Sequence, residues 1–174
     1  MRKLCFIIPL VLLLCGCKQT QTYETVIDQM DVSNKKDKMV IMVDIPENAA
    51  MQTMESSSDC KVYICDDYSL TTATVDGGDL QKTIMGATGF LPEQLDLIQT
   101  QQGECKRYVC VWTAAGENGE QVGRCAVLDD GSYHYVLTAM ADAKIAGSLA
   151  ENDWQSIFRS FRLISADDVV SSGS

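Results

Sequence analysis

Residues 105–140 read CKRYVCVWTAAGENGEQVGRCAVLDDGSYHYVLTAM, and this stretch decides the fold. Three β-rich segments follow one another: Lys106–Ala115, Gln121–Leu128 and Tyr133–Met140. Gly116-Glu117-Asn118-Gly119 separates the first two, and Asp129-Asp130-Gly131 separates the last two. Asn-Gly and Asp-Gly supply the positive φ that tight hairpin turns require. The segments therefore read as an antiparallel meander, not as a βαβ unit. The first turn also sets a register. If Ala115 faces Glu120, opposed residue numbers have a constant sum and Cys110 faces Cys125. By alternation, Tyr108, Cys110 and Trp112 share one face, and Tyr133 and Tyr135 share a face of the neighbouring segment.

Working outward, Met39–Ile45 is a β-rich run closed by Pro46, and 47–59 ends in a Ser-rich loop. Lys61–Cys65 and Leu70–Val75 are two short strands joined as a hairpin. Gly77-Gly78-Asp79 opens a helix that Asp79 caps, with Leu80, Ile84 and Ala87 at helical spacing; Gly86 weakens it and Gly89 ends it. Leu95–Gln101 returns to strand. Asn152 begins a last helix, with Gln155 placed for a capping box. Trp154, Ile157, Phe158 and Phe161 form one apolar stripe, which must lie on the sheet because nothing else could cover those rings. Arg162–Ile164 adds an edge strand, and 165–174 reads as a frayed tail. The fold class is thus α+β: an antiparallel meander covered by helices, in one domain over 39–164.

The N-terminus carries a different signal. Arg2 and Lys3 precede the apolar run Leu4–Leu14, about 16 Å long as a helix and roughly half a hydrocarbon core. That is a signal-peptide core rather than a membrane span. Leu14-Cys15-Gly16-Cys17 resembles the lipobox of bacterial lipoproteins. The resemblance implies cleavage after Gly16, a diacylglyceryl group on Cys17 Sγ, and residence on the outer face of the cytoplasmic or outer membrane. Two acyl chains anchor far better than one, at about 0.8 kcal/mol per buried CH₂. Residues 17–38 then form the lipidated end and a polar tether. Tyr23, Val26, Ile27 and Met30 leave open a second reading, a short element docked on the domain.

The formal net charge of -10 bears on partners. It offers no basic stripe for phosphate contacts, so nucleic acid is not an expected partner. It also repels anionic lipid, so membrane attachment rests on the acyl anchor.

Asp130-Gly131-Ser132-Tyr133-His134-Tyr135 in the meander, with Trp154, Ile157, Ser160 and Phe161 in the last helix, resembles the PsbP-like proteins, and Pro46 after a first strand suits that pattern. The resemblance covers residues 39–164. It implies an α/β/α sandwich with a non-enzymatic binding or assembly role and no catalytic residues.

Of eight cysteines, Cys5 and Cys15 leave with the signal and Cys17 is acylated. Cys60, Cys65, Cys105, Cys110 and Cys125 remain, an odd number in a compartment that favours disulfides. Directly opposed strand residues fall within disulfide reach, about 4.4–6.8 Å between Cα atoms, so Cys110 and Cys125 form either a disulfide or a pair of buried thiols. Within each Cys-x4-Cys unit the sulfurs point to opposite faces of a strand, which does not suit one metal ion; no metal site and no cofactor are expected. His134, the one histidine, could serve as base to Cys125, or it could be a strand histidine without chemistry. Tyr108, Trp112, Tyr133 and Tyr135 either line a ligand groove or form the layer that receives Trp154 and Phe158. The expected function is a membrane-anchored, non-catalytic binding or envelope-assembly module whose partner is an envelope protein or a small ligand. A thiol enzyme using Cys125 with His134, and a small solute-binding accessory lipoprotein, are the competing readings.

Overall fold

The computed structural model describes residues 35–116 and 119–171. The segment read as a signal, Cys17 and residues 18–34 lie outside the described residues, as do 117 and 118, and 172–174 of the segment read as a tail. The meander forms the middle of the sheet. Three long strands, β6 (Cys105–Gly116), β7 (Gly119–Asp129) and β8 (Tyr133–Asp142), run antiparallel. Ala115 stands opposite Glu120 and Cys110 opposite Cys125, the register the Asn-Gly turn predicts. Gly131 adopts a φ of 89° in the second turn, where a side chain would be strained.

The sheet extends on both sides of the meander in the order β2-β3-β4-β8-β7-β6-β5. β3 (Cys60–Ile64) and β4 (Tyr68–Asp76) form the expected hairpin, and β4 pairs with β8 along its length. β5 (Ile98–Gln102) pairs with the first part of β6 and forms one edge, and the two-residue β2 (Ala50–Met51) forms the other. A separate two-stranded ribbon joins β1 (Val40–Met42) to β9 (Arg162–Ile164). The strand expected over Met39–Ile45 is thus shorter, and its partner is the segment read as an edge strand.

Helices cover both faces. α1 (Leu80–Thr88) starts where Asp79 accepts a hydrogen bond from Lys82 N, and it buries Ile84 against Tyr108, Cys110, Trp112, Cys125, Val127 and Val136. A single 3-10 turn, Pro92–Gln94, follows. On the other face α2 (Ala143–Glu151) and α3 (Asp153–Ser160) lie over Leu70, Leu128, Tyr135, Leu137 and Ala139. Trp154, Ile157, Phe158 and Phe161 are all buried there, as the stripe predicts. Asn152 starts α3 without a side-chain cap, so the capping box does not form.

Further stretches differ from the sequence reading. α2 has no turn residues before it: it leaves β8 directly, capped by Asp142 on Lys144 N, and only Ala146 and Leu149 are buried. Residues 166–171, read as frayed tail, form a short helix, α4 (Ala166–Ser171). Residues 35–39, read largely as tether, are fastened to the domain. Lys36 N donates to Ser132 Oγ at 3.0 Å, Met39 N to Tyr135 Oη at 2.9 Å, and Lys35 Nζ pairs with Asp76 at 2.6 Å. Residues 34–174 form one unit, so the described residues hold no second lobe for an interlobe ligand cleft.

Candidate functional site

The sheet separates the side chains singled out from sequence into two groups. Cys110 faces Cys125, which faces Thr138; even-numbered residues of β8 therefore share the α1 face with Tyr108, Cys110 and Trp112. Tyr133 and Tyr135 carry odd numbers and point to the opposite face. The four aromatic residues thus line no common groove and make no common layer. Tyr135 lies under α2 and α3 with Trp154 and Phe158; Tyr108 and Trp112 lie under α1. The register of the second hairpin, Asp129 opposite His134, carries this result.

Trp112 is buried because β7 offers it a bare backbone. It stands opposite Gly123, and a Cβ on that glycine would fall 2.2 Å from Trp112 Cζ2. The indole therefore lies flat across β7 and closes the end of the α1 core.

Cys110 and Cys125 are 3% and 1% exposed, and both are free thiols. The hydrogen bond between them and their burial hold the Cys125 thiol well above its ordinary pKa. A thiol in that state is a poor nucleophile at neutral pH. Each Cys-x4-Cys unit is divided by the sheet as the spacing predicts: Cys105 lies in the α2/α3 core and Cys110 in the α1 core. Cys65 is buried against Tyr68, and burial raises its pKa, as it does that of Cys105. Cys60 is half-buried on β3. Among the described residues no three His, Cys, Asp or Glu side chains converge to hold a metal ion.

His134 shares the α1 face with Cys125, but not its neighbourhood. Its opposite residue is Asp129, four residues along β7 from Cys125, or about 13 Å at 3.3 Å per residue. That exceeds hydrogen-bond reach several-fold, so the Cys125–His134 nucleophile–base pair does not form. His134 is instead buried beneath α1, its Nδ1 hydrogen-bonded to Thr83 Oγ1 at 2.7 Å, with Asp129 Oδ1 3.8 Å from Nε2. Burial lowers its pKa; Asp129, Asp130 and Asp79 oppose the shift without cancelling it.

The second turn carries a hydrogen-bonded carboxylate that sequence reading treated only as turn chemistry. Asp130 is buried; its Oδ1 accepts from Ser132 N and Tyr133 N, and its Oδ2 accepts from Tyr135 Oη at 3.0 Å. Tyr135 Oη in turn accepts from Met39 N, so one chain of bonds fastens the N-terminal segment to the turn. Burial raises the Tyr135 pKa and keeps that hydroxyl a donor.

Two half-buried guanidiniums on the α2/α3 face were also missed. Arg107 Nη2 donates to Phe158 O at 2.9 Å and Nη1 to Gln102 Oε1, while Arg124 stacks 4.5 Å above the Phe158 ring. Neither has a carboxylate within ion-pair distance among the described residues. The alternation Arg-x-Val on β6 was the available signal.

The sheet's open side lies at β6. β5 pairs only as far as Ile98 opposite Val109, so residues 110–116 of β6 have β7 on one side and no strand on the other. A groove of about 480 Å³ runs between Val111–Thr113 and the Phe90, Glu93–Asp96 segment.

No protein-family model matches this sequence, and no curated protein sequence matches it. Solved structures do. LpqN of Mycobacterium tuberculosis, involved in cell envelope biogenesis, superimposes with a TM-score of 0.50 at 12% identity, over 75% of this chain and 86% of that one. A cyanobacterial PsbP (CyanoP) from Synechocystis gives 0.49 at 12% identity, over 76% and 96%. A Bacteroides thetaiotaomicron protein gives 0.49 at 7% identity, over 73% of this chain and 46% of that one, so this chain spans less than half of its length. The α+β architecture, a sheet with helices on both faces, is the one the sequence predicts. Among the described residues no helix is long and apolar enough to cross a membrane.

Proposed function

We propose that this chain is an extracytoplasmic lipoprotein, anchored through Cys17, whose folded part is a non-catalytic binding or envelope-assembly module. One observation carries the second half of this reading. The side chains with chemical potential are committed to structure: His134 to Thr83, Asp130 to the turn, Cys110 and Cys125 to each other. The backbone edge and the groove beside it remain for a partner. The fold held in common with LpqN, itself an envelope-biogenesis protein, is consistent with such a role. The lipobox supports the address.

Two measurements test the proposal. Metabolic labelling with a fatty-acid analogue should mark the chain, and Cys17→Ala should lose the label and leave the membrane fraction; persistent labelling of the variant rejects the anchor. Alkylation of native Cys125 should be slow and accelerate with mild denaturant. Rapid alkylation of Cys125 in the native state, following a pKa near neutrality, would return the thiol-enzyme reading.

A further inference from the structure

The free edge of β6 differs from the sheet's other boundaries. Proteins shield exposed edges with shortness, charge, proline or a covering element. β2, at the far edge, is two residues long. β5 is five residues long and, apart from Ile98, polar throughout. Residues 110–116, Cys-Val-Trp-Thr-Ala-Ala-Gly, carry no charge and no proline over about 20 Å at 3.3 Å per residue, and the 90–96 segment lies across a groove from them rather than paired to them. No backbone hydrogen bond joins them to any described residue outside β7. Val111 is 55% exposed on this edge and Ile98, next along the same face, is 62% exposed. An uncharged edge beside a formed groove is a template for one more antiparallel or parallel strand.

Charge selects the occupant. The groove's outer wall presents Glu93 and Asp96. A second copy of the chain would bring the same two carboxylates, and another net charge of -10, to the same place. We infer that β6 binds an extended, basic segment of a partner protein by strand addition. Its main chain pairs with residues 111–115, its apolar side chains alternate onto Val111, and its Lys or Arg residues meet Glu93 and Asp96. This gives the binding-module reading a partner class and rests on it; the labelling and alkylation measurements above test that reading without reference to the edge.

The test uses the full chain in detergent and a blocked peptide, Lys-Val-Thr-Val-Lys-Val-Thr-Val-Lys, with residue-resolved amide exchange. Unpaired edge amides exchange fast, and pairing slows them by one plus the ratio of peptide concentration to Kd. At about 2 mM peptide and a Kd of about 1 mM the slowing is about threefold. It should appear at alternate residues within 111–116, the outward-facing amides. A peptide with Glu in place of Lys should give none. Glu93→Gln with Asp96→Asn should weaken the effect, and Thr113→Lys, at an exposed position, should abolish it without lowering the melting temperature. Absence of slowing with the lysine peptide overturns the inference, as does equal slowing by the glutamate peptide. Edge protection that grows with protein concentration alone also overturns it and assigns the edge to a second copy.

Discussion

Cys110 and Cys125 allow a quantitative test of the register. Oxidised glutathione supplies the oxidant: one thiolate attacks its disulfide, releasing one glutathione thiolate and forming a mixed disulfide, then the second thiolate displaces the other glutathione as thiolate and closes the protein cross-link. The bond ties residues that face each other across β6 and β7, so it closes a loop of about 15 residues with little rearrangement. In the chain-entropy model that removes about 3 kcal/mol of unfolded-state freedom. For a domain of this size each kcal/mol moves the midpoint by about 3–4 °C, so the oxidised chain should melt about 10 °C above the reduced one. Both sulfurs are buried, so the reaction must wait for the hairpin to open and should run faster in sub-denaturing urea. The assay is peptide mapping of the loss of two hydrogens, followed by thermal unfolding with and without reductant. Cys110→Ser should abolish both the cross-link and the shift. A cross-link that maps preferentially to Cys60 or Cys105, or a Cys110–Cys125 bond that changes stability by less than about 1 kcal/mol, would refute the assignment of these two sulfurs to opposed positions in a relaxed hairpin.

Three further outcomes follow from the same geometry. Gly123→Ala should cost about 1–3 kcal/mol, because the new methyl displaces the Trp112 ring; urea unfolding gives the cost, and a changed near-ultraviolet tryptophan signal locates it. Tyr135→Phe leaves Met39 N and one Asp130 oxygen without their partner, costing about 1–3 kcal/mol and speeding amide exchange at Met39; unchanged exchange there would mean the N-terminal segment is held by other contacts. The folded-state pKa of His134 lies below the unfolded value of about 6.5, so below that pH the unfolded chain binds the proton first. Its contribution is complete above the unfolded pKa and falls away as pH drops from about 6.5 towards the lower folded value. His134→Gln should flatten urea midpoints across that window, and an unflattened slope would place the titration elsewhere.

The sheet was legible in the sequence wherever turn chemistry and alternation agreed. Asn118-Gly119 and Asp130-Gly131 fix two hairpins, and the first fixes the β6–β7 register residue by residue. α3 was legible because four large apolar residues share one stripe, whereas α2 was not. It buries only Ala146 and Leu149, follows β8 without a break, and is announced only by Asp142 as cap. The aromatic set was misassigned for a definable reason. Each hairpin pairs even with odd numbers, so the second turn, Asp129 opposite His134, returns even residues of β8 to the face of even residues of β6; Tyr133 and Tyr135 are odd and therefore face away from Tyr108, Cys110 and Trp112. The Asp130–Tyr135–Met39 chain was out of reach because it joins residues 96 positions apart through a backbone amide, which leaves no mark in composition or spacing.

That parity also organises what the molecule can offer a partner. Each face of the central strands is filled by its own helices, and among the described residues only Trp154 Nε1 is a buried side-chain polar atom without a partner. The strands themselves end at an edge. β6 is twelve residues long while β5 covers only its first five, and the segment before β5, with its 3-10 turn at Pro92–Gln94, lies across the groove from Val111–Thr113 without pairing to them. The short β5 leaves the uncharged half of β6 unpaired, and on the strand-addition proposal the acidic wall would repel a second acidic copy. In the same register, extending β5 to Leu95 would cover the edge only as far as Trp112. On that logic the length mismatch between two neighbouring strands, rather than any single side chain, is where selection for binding should be sought.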